Sequence, residues 1–173
     1  MRSAIALTLA LTAVAGPALD NFQTRLEQYV KLRSAAVVNA PPLPKKATPA
    51  QIQERELALA NAIQKARGTA KQGDILSPDL KPVFARLIRT DAKAVKDGNP
   101  TQEKAPGEVT PKPVVNGIYP KNAPLSSVPP SLLSRLPKLP PDLEYRFVGR
   151  TLILRDAQAN IIVDFMPEAA PAR

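Results

Sequence analysis

The distribution of proline constrains the fold of this chain more than any other feature of its sequence. More than half of the 20 prolines lie within residues 98–141. Proline lacks a backbone N–H and has a fixed φ, so this stretch is incompatible with a long helix or a central strand. It predicts an extended, partly polyproline linker, within which residues 131–136 form at most one helical turn.

Residues 16–97, before the linker, show the spacing of amphipathic helices. A first helix is predicted over about 20–38, with Phe22, Leu26 and Tyr29 on one face and a proline-rich stop from Pro41. It is the first of three helices that are expected to pack together along their apolar stripes.

The second helix has the clearest start signal in the chain. Thr48 is placed as N-cap, Pro49 at the first helical position and Gln51 at the third, which is the pattern of a capping box. Its predicted apolar face is formed by Ile52, Leu59 and Ile63, and Gly68 follows as a stop. The third helix is predicted over Leu80 to Lys96, with Pro82 in its first turn.

Residues 142–167 predict a three-stranded antiparallel β-meander. The strands are expected at 143–148, 151–155 and 161–165, with Asn160 tolerating a left-handed conformation in the second turn. Six side chains are expected to share one face: Tyr145, Phe147, Leu152, Leu154, Val163 and Phe165. Three strands alone are marginally stable, so this face must cover another part of the chain, and the helices are the favoured candidate. Residues 168–173 are expected to be a disordered tail, and the fold class is α+β.

The N-terminus predicts export. Arg2 precedes an apolar run of about a dozen residues that ends in a small-x-small site at Ala13 to Ala15, as in a secretory signal peptide of residues 1–15. Pro17 and Asp20 interrupt the run before it reaches the roughly 20 residues of a membrane span. Cleavage is expected after Ala15, with Ala18 as the second choice, so no stable membrane span is expected afterwards.

Composition excludes several kinds of chemistry. The chain has no Cys and no His, which excludes disulfides, thiolate zinc sites, cysteine nucleophiles and imidazole bases. Its seven glycines form no phosphate-binding loop. No cofactor and no metal site are expected, and the chain is interpreted as a non-enzymatic protein.

The C-terminal 30 or so residues resemble a module of small exported bacterial proteins. The order Leu139-Pro140-Pro141, Tyr145 to Gly149, Leu152 to Asp156 and Ile161 to Asp164 is similar to the hairpin module of the periplasmic RcnB family of nickel and cobalt homeostasis. The resemblance implies a periplasmic, non-catalytic accessory protein. It implies no metal role here, because the matching ligands are missing.

The third predicted helix carries four basic residues on one face. They follow at spacings of 3, 4 and 3: Arg86, Arg89, Lys93 and Lys96. Such a stripe suits an anionic envelope polymer or an acidic partner, but a solvated outer face opposite the apolar stripe is the favoured interpretation. A nucleic-acid partner is not expected, because export removes it and few aromatic residues are present to stack on bases.

Three acidic residues lie in the predicted meander: Glu144, Asp156 and Asp164. Paired carboxylates hydrolyse glycosides or bind hard cations. However, Asp156 begins a turn, where its carboxylate bonds the backbone, and the alternation of the strand places Asp164 outward. The favoured hypothesis is therefore an exported accessory protein that binds a periplasmic or envelope protein, with anionic polymer binding as the alternative.

Overall fold

A computed structural model of the chain describes residues 5–90, 112–123 and 126–170. It confirms the α+β layout, with the helices first and an antiparallel sheet at the end. The elements are, in order, α1 (Ile5–Asn39), α2 (Pro49–Ala66), α3 (Leu80–Thr90), β1 (Ser126–Ser127), α4 (Pro130–Leu133), β2 (Leu143–Val148), β3 (Thr151–Asp156) and β4 (Ile161–Met166).

Helix α1 is longer than the sequence predicts. It begins at Ile5 rather than near residue 20, and Pro17 lies inside it. The segment interpreted as a signal peptide therefore continues directly into the predicted helix. The expected apolar face is confirmed, since Phe22, Leu26 and Tyr29 are all buried.

Helix α2 begins with the predicted capping box. The Gln51 N–H donates to Thr48 Oγ1 at 3.3 Å, and the Thr48 N–H donates to Gln51 Oε1 at 2.9 Å, which satisfies two otherwise free donors of the first turn. Leu59 and Ile63 are fully buried as predicted. The prediction for Ile52 is wrong, because 49% of this residue is exposed.

Helix α3 buries the predicted stripe and has Pro82 in its first turn. Leu80, Phe84 and Ile88 have no exposed surface, and they recur at the four-residue spacing of one helix face. The last six residues of the predicted helix, 91–96, lie outside the described residues.

The three predicted strands are confirmed as β2, β3 and β4, and the two-residue β1 joins β2 at the edge. Gly149 turns the chain from β2 to β3 with a φ of +58°, and Asn160 precedes β4 with a φ of +51°, the left-handed conformation predicted for it. Sheet order follows chain order, and every pair is antiparallel.

A β-bulge changes which face the end of β4 presents. Leu154 pairs with Asp164, but the next residue of β3 pairs with Ile162, so Val163 is an extra residue on β4. The carboxylate of Asp164 therefore lies on the helix-facing side, whereas Phe165 lies with the side chains of the opposite face. The predictions of an outward Asp164 and an inward Phe165 are wrong for this reason.

The described part of the proline-rich segment packs against the rest of the molecule. Ile118 forms a β-bridge with Ile161, and the short helix α4 appears where one helical turn was predicted. Leu132 and Tyr119 are buried. The prediction of an extended linker is corrected for residues 112–123 and 126–141, since proline excludes a continuous ladder but does not prevent short elements from packing.

The helices and the sheet share one hydrophobic core. The ring of Phe84 packs edge to face against the rings of Phe22 and Tyr145, with centroid distances of 6.2 and 6.1 Å. The three rings therefore connect α1, α3 and β2. The core continues into the predicted tail, because Ala169 and Ala170 are buried and the Ala170 N–H donates to the backbone oxygen of Arg150. The expectation of disorder is therefore wrong for residues 168–170.

Candidate functional site

The predicted basic face lies only partly in the described chain. Arg86 and Arg89 are exposed on α3, on the side away from buried Phe84 and Ile88. Lys93 and Lys96 lie outside the described residues. The structure thus places two of the four basic residues on a solvent-facing surface.

Asp156 is a buried structural carboxylate at the end of β3. Tyr29 donates to Oδ2 at 2.9 Å, and Arg33 Nε donates to the same oxygen at 2.6 Å. The other oxygen accepts the backbone N–H groups of Gln158 and Ala159, at 3.1 and 3.0 Å. Burial, followed by the Asp156 charge and hydrogen bond, raises the pKa of Tyr29 well above its ordinary value. The carboxylate ties the turn before β4 to α1.

Asp164 is held by the backbone of the loop between α2 and α3. Gly73 N–H donates to Oδ1 at 2.9 Å, while the Ile75 and Leu76 N–H groups donate to Oδ2, each at 2.7 Å. The residue has no exposed surface. Such charge-assisted bonds to backbone amides satisfy a buried carboxylate and fix the loop against β4.

Glu144 lies on the opposite face of the sheet from these two carboxylates. Its oxygens accept from Arg146 Nη2 and Arg155 Nη1, each at 2.6 Å. Burial raises the pKa of Glu144, but the hydrogen bonds and charges of the two arginines outweigh it, so the net direction is downward. The three predicted acidic residues are therefore not brought together in one cleft. Among residues 5–90, 112–123 and 126–170, no three acidic side chains form a group able to hold a metal ion.

A groove with a mixed polar and apolar lining lies between the end of α1 and the start of α2. Its volume is about 800 Å³. Three large apolar side chains that line it are strongly exposed: Val38 by 83%, Leu43 by 45% and Ile52 by 49%. The polar side chains of Arg55, Glu56 and Gln158 also line it, and the Glu56 carboxylate forms an ion pair with Lys121 at 3.4 Å. Apolar surface with polar neighbours is typical of a protein-binding surface.

Hydrogen bonds fix the walls of this groove. Arg55 donates to the backbone oxygens of Ala40 and Pro41 and so holds the loop after α1 against α2. On the opposite wall, Gln158 Oε1 accepts from Arg33 Nη2 at 3.1 Å, and its Nε2 donates to Asp142 at 2.9 Å. A groove held in this way loses little freedom when it binds a partner.

The groove is not evident from the amino-acid sequence. Ile52 does share the helical face of Leu59 and Ile63, but it lies two turns nearer the N-terminus. There it lines the groove instead of the core. The exposed Leu43 within a proline-rich loop was the only local signal, since an apolar residue in a rigid turn has no obvious core to enter.

Comparisons with protein-family models, curated proteins and solved structures found no match for this chain. Within the part of the chain that the structure describes, none of the helices has the length and apolar character needed to cross a membrane.

Proposed function

We propose that this chain is an exported accessory protein that acts by binding another protein, and that the groove lined by Val38, Leu43 and Ile52 is its contact surface. The observation that carries the proposal is the convergence of these three exposed side chains on one groove. Exposed apolar side chains are usually scattered singly over a protein surface, and several together mark an interaction site. Burial of such a patch by a partner stabilises the complex by roughly 25 cal/mol per Å² of apolar surface.

Charge near the groove indicates the partner's character. Lys45 and Lys46 follow Leu43 in the same loop, and both are exposed. A partner segment with apolar anchors beside acidic residues would suit this surface, because opposite charges favour encounter and orientation. The chain's net charge of +9 favours acidic partners in general.

Export is part of the proposal and rests on the sequence of residues 1–15. The core side chains of α1 from Phe22 onward all follow Ala15, so cleavage there leaves them in the mature chain. The resemblance of the C-terminal strands to the RcnB family supports a periplasmic accessory role, although no metal role is proposed. N-terminal sequencing of the protein recovered from the periplasm tests export, and an uncleaved chain recovered in the cytoplasm contradicts it.

The binding proposal is tested by affinity capture from envelope extract with matched variants. Val38→Ser and Ile52→Ser should each weaken capture of the same partner at least tenfold. Leu57→Ser is the control, since Leu57 is a 41% exposed apolar residue on the same helix that does not line the groove. All three positions are exposed, so the free energy of unfolding should change by less than about 0.5 kcal/mol. Equal capture by all variants contradicts the proposal.

A second candidate function is the binding of anionic envelope polymers by α3. It is favoured by the exposure of Arg86 and Arg89 on one surface of the helix. Arg86→Gln combined with Arg89→Gln should reduce retention on an anionic polymer more than Lys45→Gln combined with Lys46→Gln, which removes the same charge. Equal losses in the two double variants would mean that net charge alone governs retention.

A further inference from the structure

A second cavity lies between α1, the end of α2 and the loop that follows it. Its volume is about 250 Å³, which is below the range of drug-sized ligand sites and suits a small ion. The polar residues that line it, together with one aromatic ring, are Arg25, Gln28, Tyr29, Arg67, Thr69 and Asp74.

Arg67 is the unusual residue of this cavity, because it is a buried cation. Only 9% of the residue is exposed, and no carboxylate forms an ion pair with it within the described chain. Its guanidinium lies over the ring of Tyr29, at 5.2 Å from the ring centre. Burial lowers the pKa of Arg67, although nearby acidic groups oppose this. A buried charge of this kind normally has an anionic partner.

One edge of the Arg67 guanidinium is already used by the fold. Nη1 donates to Asn116 Oδ1 at 2.7 Å and to the backbone oxygen of Val163 at 2.9 Å. These two bonds hold the side chain in place and orient its plane. The guanidinium is therefore a fixed group with its remaining donors in a defined direction.

Among the residues that the structure describes, none accepts a hydrogen bond from the other edge of the guanidinium. Neither Nε nor Nη2 has a hydrogen-bond partner in the residues that the structure describes. Neither atom is among the fully buried side-chain donors that lack a partner. Both therefore reach accessible space, and the cavity lies against this residue. The Nε–Nη2 edge presents two parallel N–H groups, which match the two oxygens of a carboxylate or phosphate.

The lining of the cavity carries two cations and one carboxylate. The buried Asp164, outside the lining, also acts on Arg67, but both of its oxygens already accept backbone N–H groups. Arg25 lies on the α1 wall and donates through Nη1 to the backbone oxygen of Gly73 at 3.2 Å. Asp74 is the acidic residue of the lining, but it is exposed, and its Oδ2 already accepts the Lys71 N–H at 2.7 Å. Two cations therefore face one solvated carboxylate.

We propose that this cavity is a binding site for a small oxyanion, in which the Nε–Nη2 edge of Arg67 binds the carboxylate or phosphate group and Arg25 supplies the second positive charge. The site is separate from the groove lined by Val38, Leu43 and Ile52, so either can be correct without the other.

The test is a titration of the full chain, followed through the side-chain Nε–H resonance of Arg67 in nitrogen-15 spectra. Inorganic phosphate and acetate are titrated separately at constant ionic strength. The resonance is assigned by its loss in Arg67→Lys, which keeps the charge but removes the paired donors. Arg25→Gln is the second variant, and Lys31→Gln, at an exposed position of the same helix that does not line the cavity, is its charge-matched control.

The proposal predicts a saturable shift of the Arg67 resonance with at least one of the two anions. The anion that binds identifies the source as a phosphate or a carboxylate. Arg25→Gln should weaken binding about tenfold, the effect of one charge-assisted contact, and Lys31→Gln should leave it unchanged. The absence of a saturable shift with either anion overturns the proposal, as does equal weakening by Arg25→Gln and Lys31→Gln. A shift caused only by anionic lipid vesicles also overturns it. If Arg67→Lys fails to fold, the Arg25→Gln titration still decides the question.

Discussion

Replacement of Asp164 by asparagine should destabilise the protein strongly, although it changes only one oxygen to an amide. The Asp164 carboxylate accepts four backbone N–H groups: those of Gly73 and Phe165 at Oδ1, and those of Ile75 and Leu76 at Oδ2. An asparagine oxygen placed at Oδ2 keeps the second pair, but its NH₂ then faces the donors of the first pair. Each hydrogen bond to a charged group contributes about 1.5–3 kcal/mol. The two lost bonds alone correspond to about 3–6 kcal/mol and the two that become neutral add to this, so we expect a loss of at least about 3 kcal/mol in the free energy of unfolding.

Urea unfolding followed by circular dichroism measures this loss. Asp142→Asn is the matched control, because Asp142 makes a partly exposed ion pair with Arg33 at 3.2 Å, which is worth at most about 1 kcal/mol. Amide exchange at Ile75 and Leu76 gives a second reading. If Asp164→Asn unfolds within about 1 kcal/mol of the unmodified protein, and as late as the control, the carboxylate does not hold the loop and the reasoning fails.

Three further predictions follow from single side chains. Thr48→Ala removes the acceptor of the capping box and should cost about 1 kcal/mol of stability in urea unfolding, with no cost if the cap is unimportant. The pKa of Glu144 is lowered in the folded state, so its contribution is complete above the ordinary value of 4.5 and is lost as the pH falls through the folded value. Glu144→Gln should therefore cost about 1 kcal/mol at neutral pH and flatten the acidic part of the stability profile, and an unchanged profile would contradict this. Burial raises the pKa of all three tyrosines, Tyr29, Tyr119 and Tyr145. The ultraviolet absorbance of phenolate should therefore develop only above the ordinary pKa of 10.0, and a titration centred on that value would contradict this.

Local chemistry explains why the strands were predictable. Gly149 and Asn160 both adopt positive φ at the turns, and each was recognisable as a residue that tolerates this conformation. The capping box at Thr48 was equally local, since its two hydrogen bonds join residues three apart. Features of this kind depend on neighbours in sequence and need no knowledge of the fold.

The orientation of Asp164 was not predictable in the same way. Alternation through Val163, Asp164 and Phe165 placed the carboxylate outward, and only the bulge at Val163 reverses it. The donors that bind the carboxylate come from a loop about ninety residues earlier. The spacing of residues in the sequence does not predict these hydrogen bonds, because they arise from tertiary packing.

The groove and the cavity beside Arg67 were not predictable for a related reason. Helical periodicity grouped Ile52 with Leu59 and Ile63, but it could not show where the core ends along the helix axis. Arg67 lies next to the predicted helix stop at Gly68, and only the fold reveals that its guanidinium is buried against β4. Likewise, the proline count identified a segment without long elements, yet it could not show that Leu132 enters the core.

The proposed function is tested most directly by site-specific photocrosslinking in cells that produce the full chain. A photoreactive side chain at position 43, inside the groove, should give one dominant cross-linked partner that is lost when Ile52→Ser is added. The same side chain at position 57, exposed on α2 but outside the groove, should not capture that partner. Identical cross-links at both positions, or none at position 43, would contradict the assignment of this groove as the contact surface.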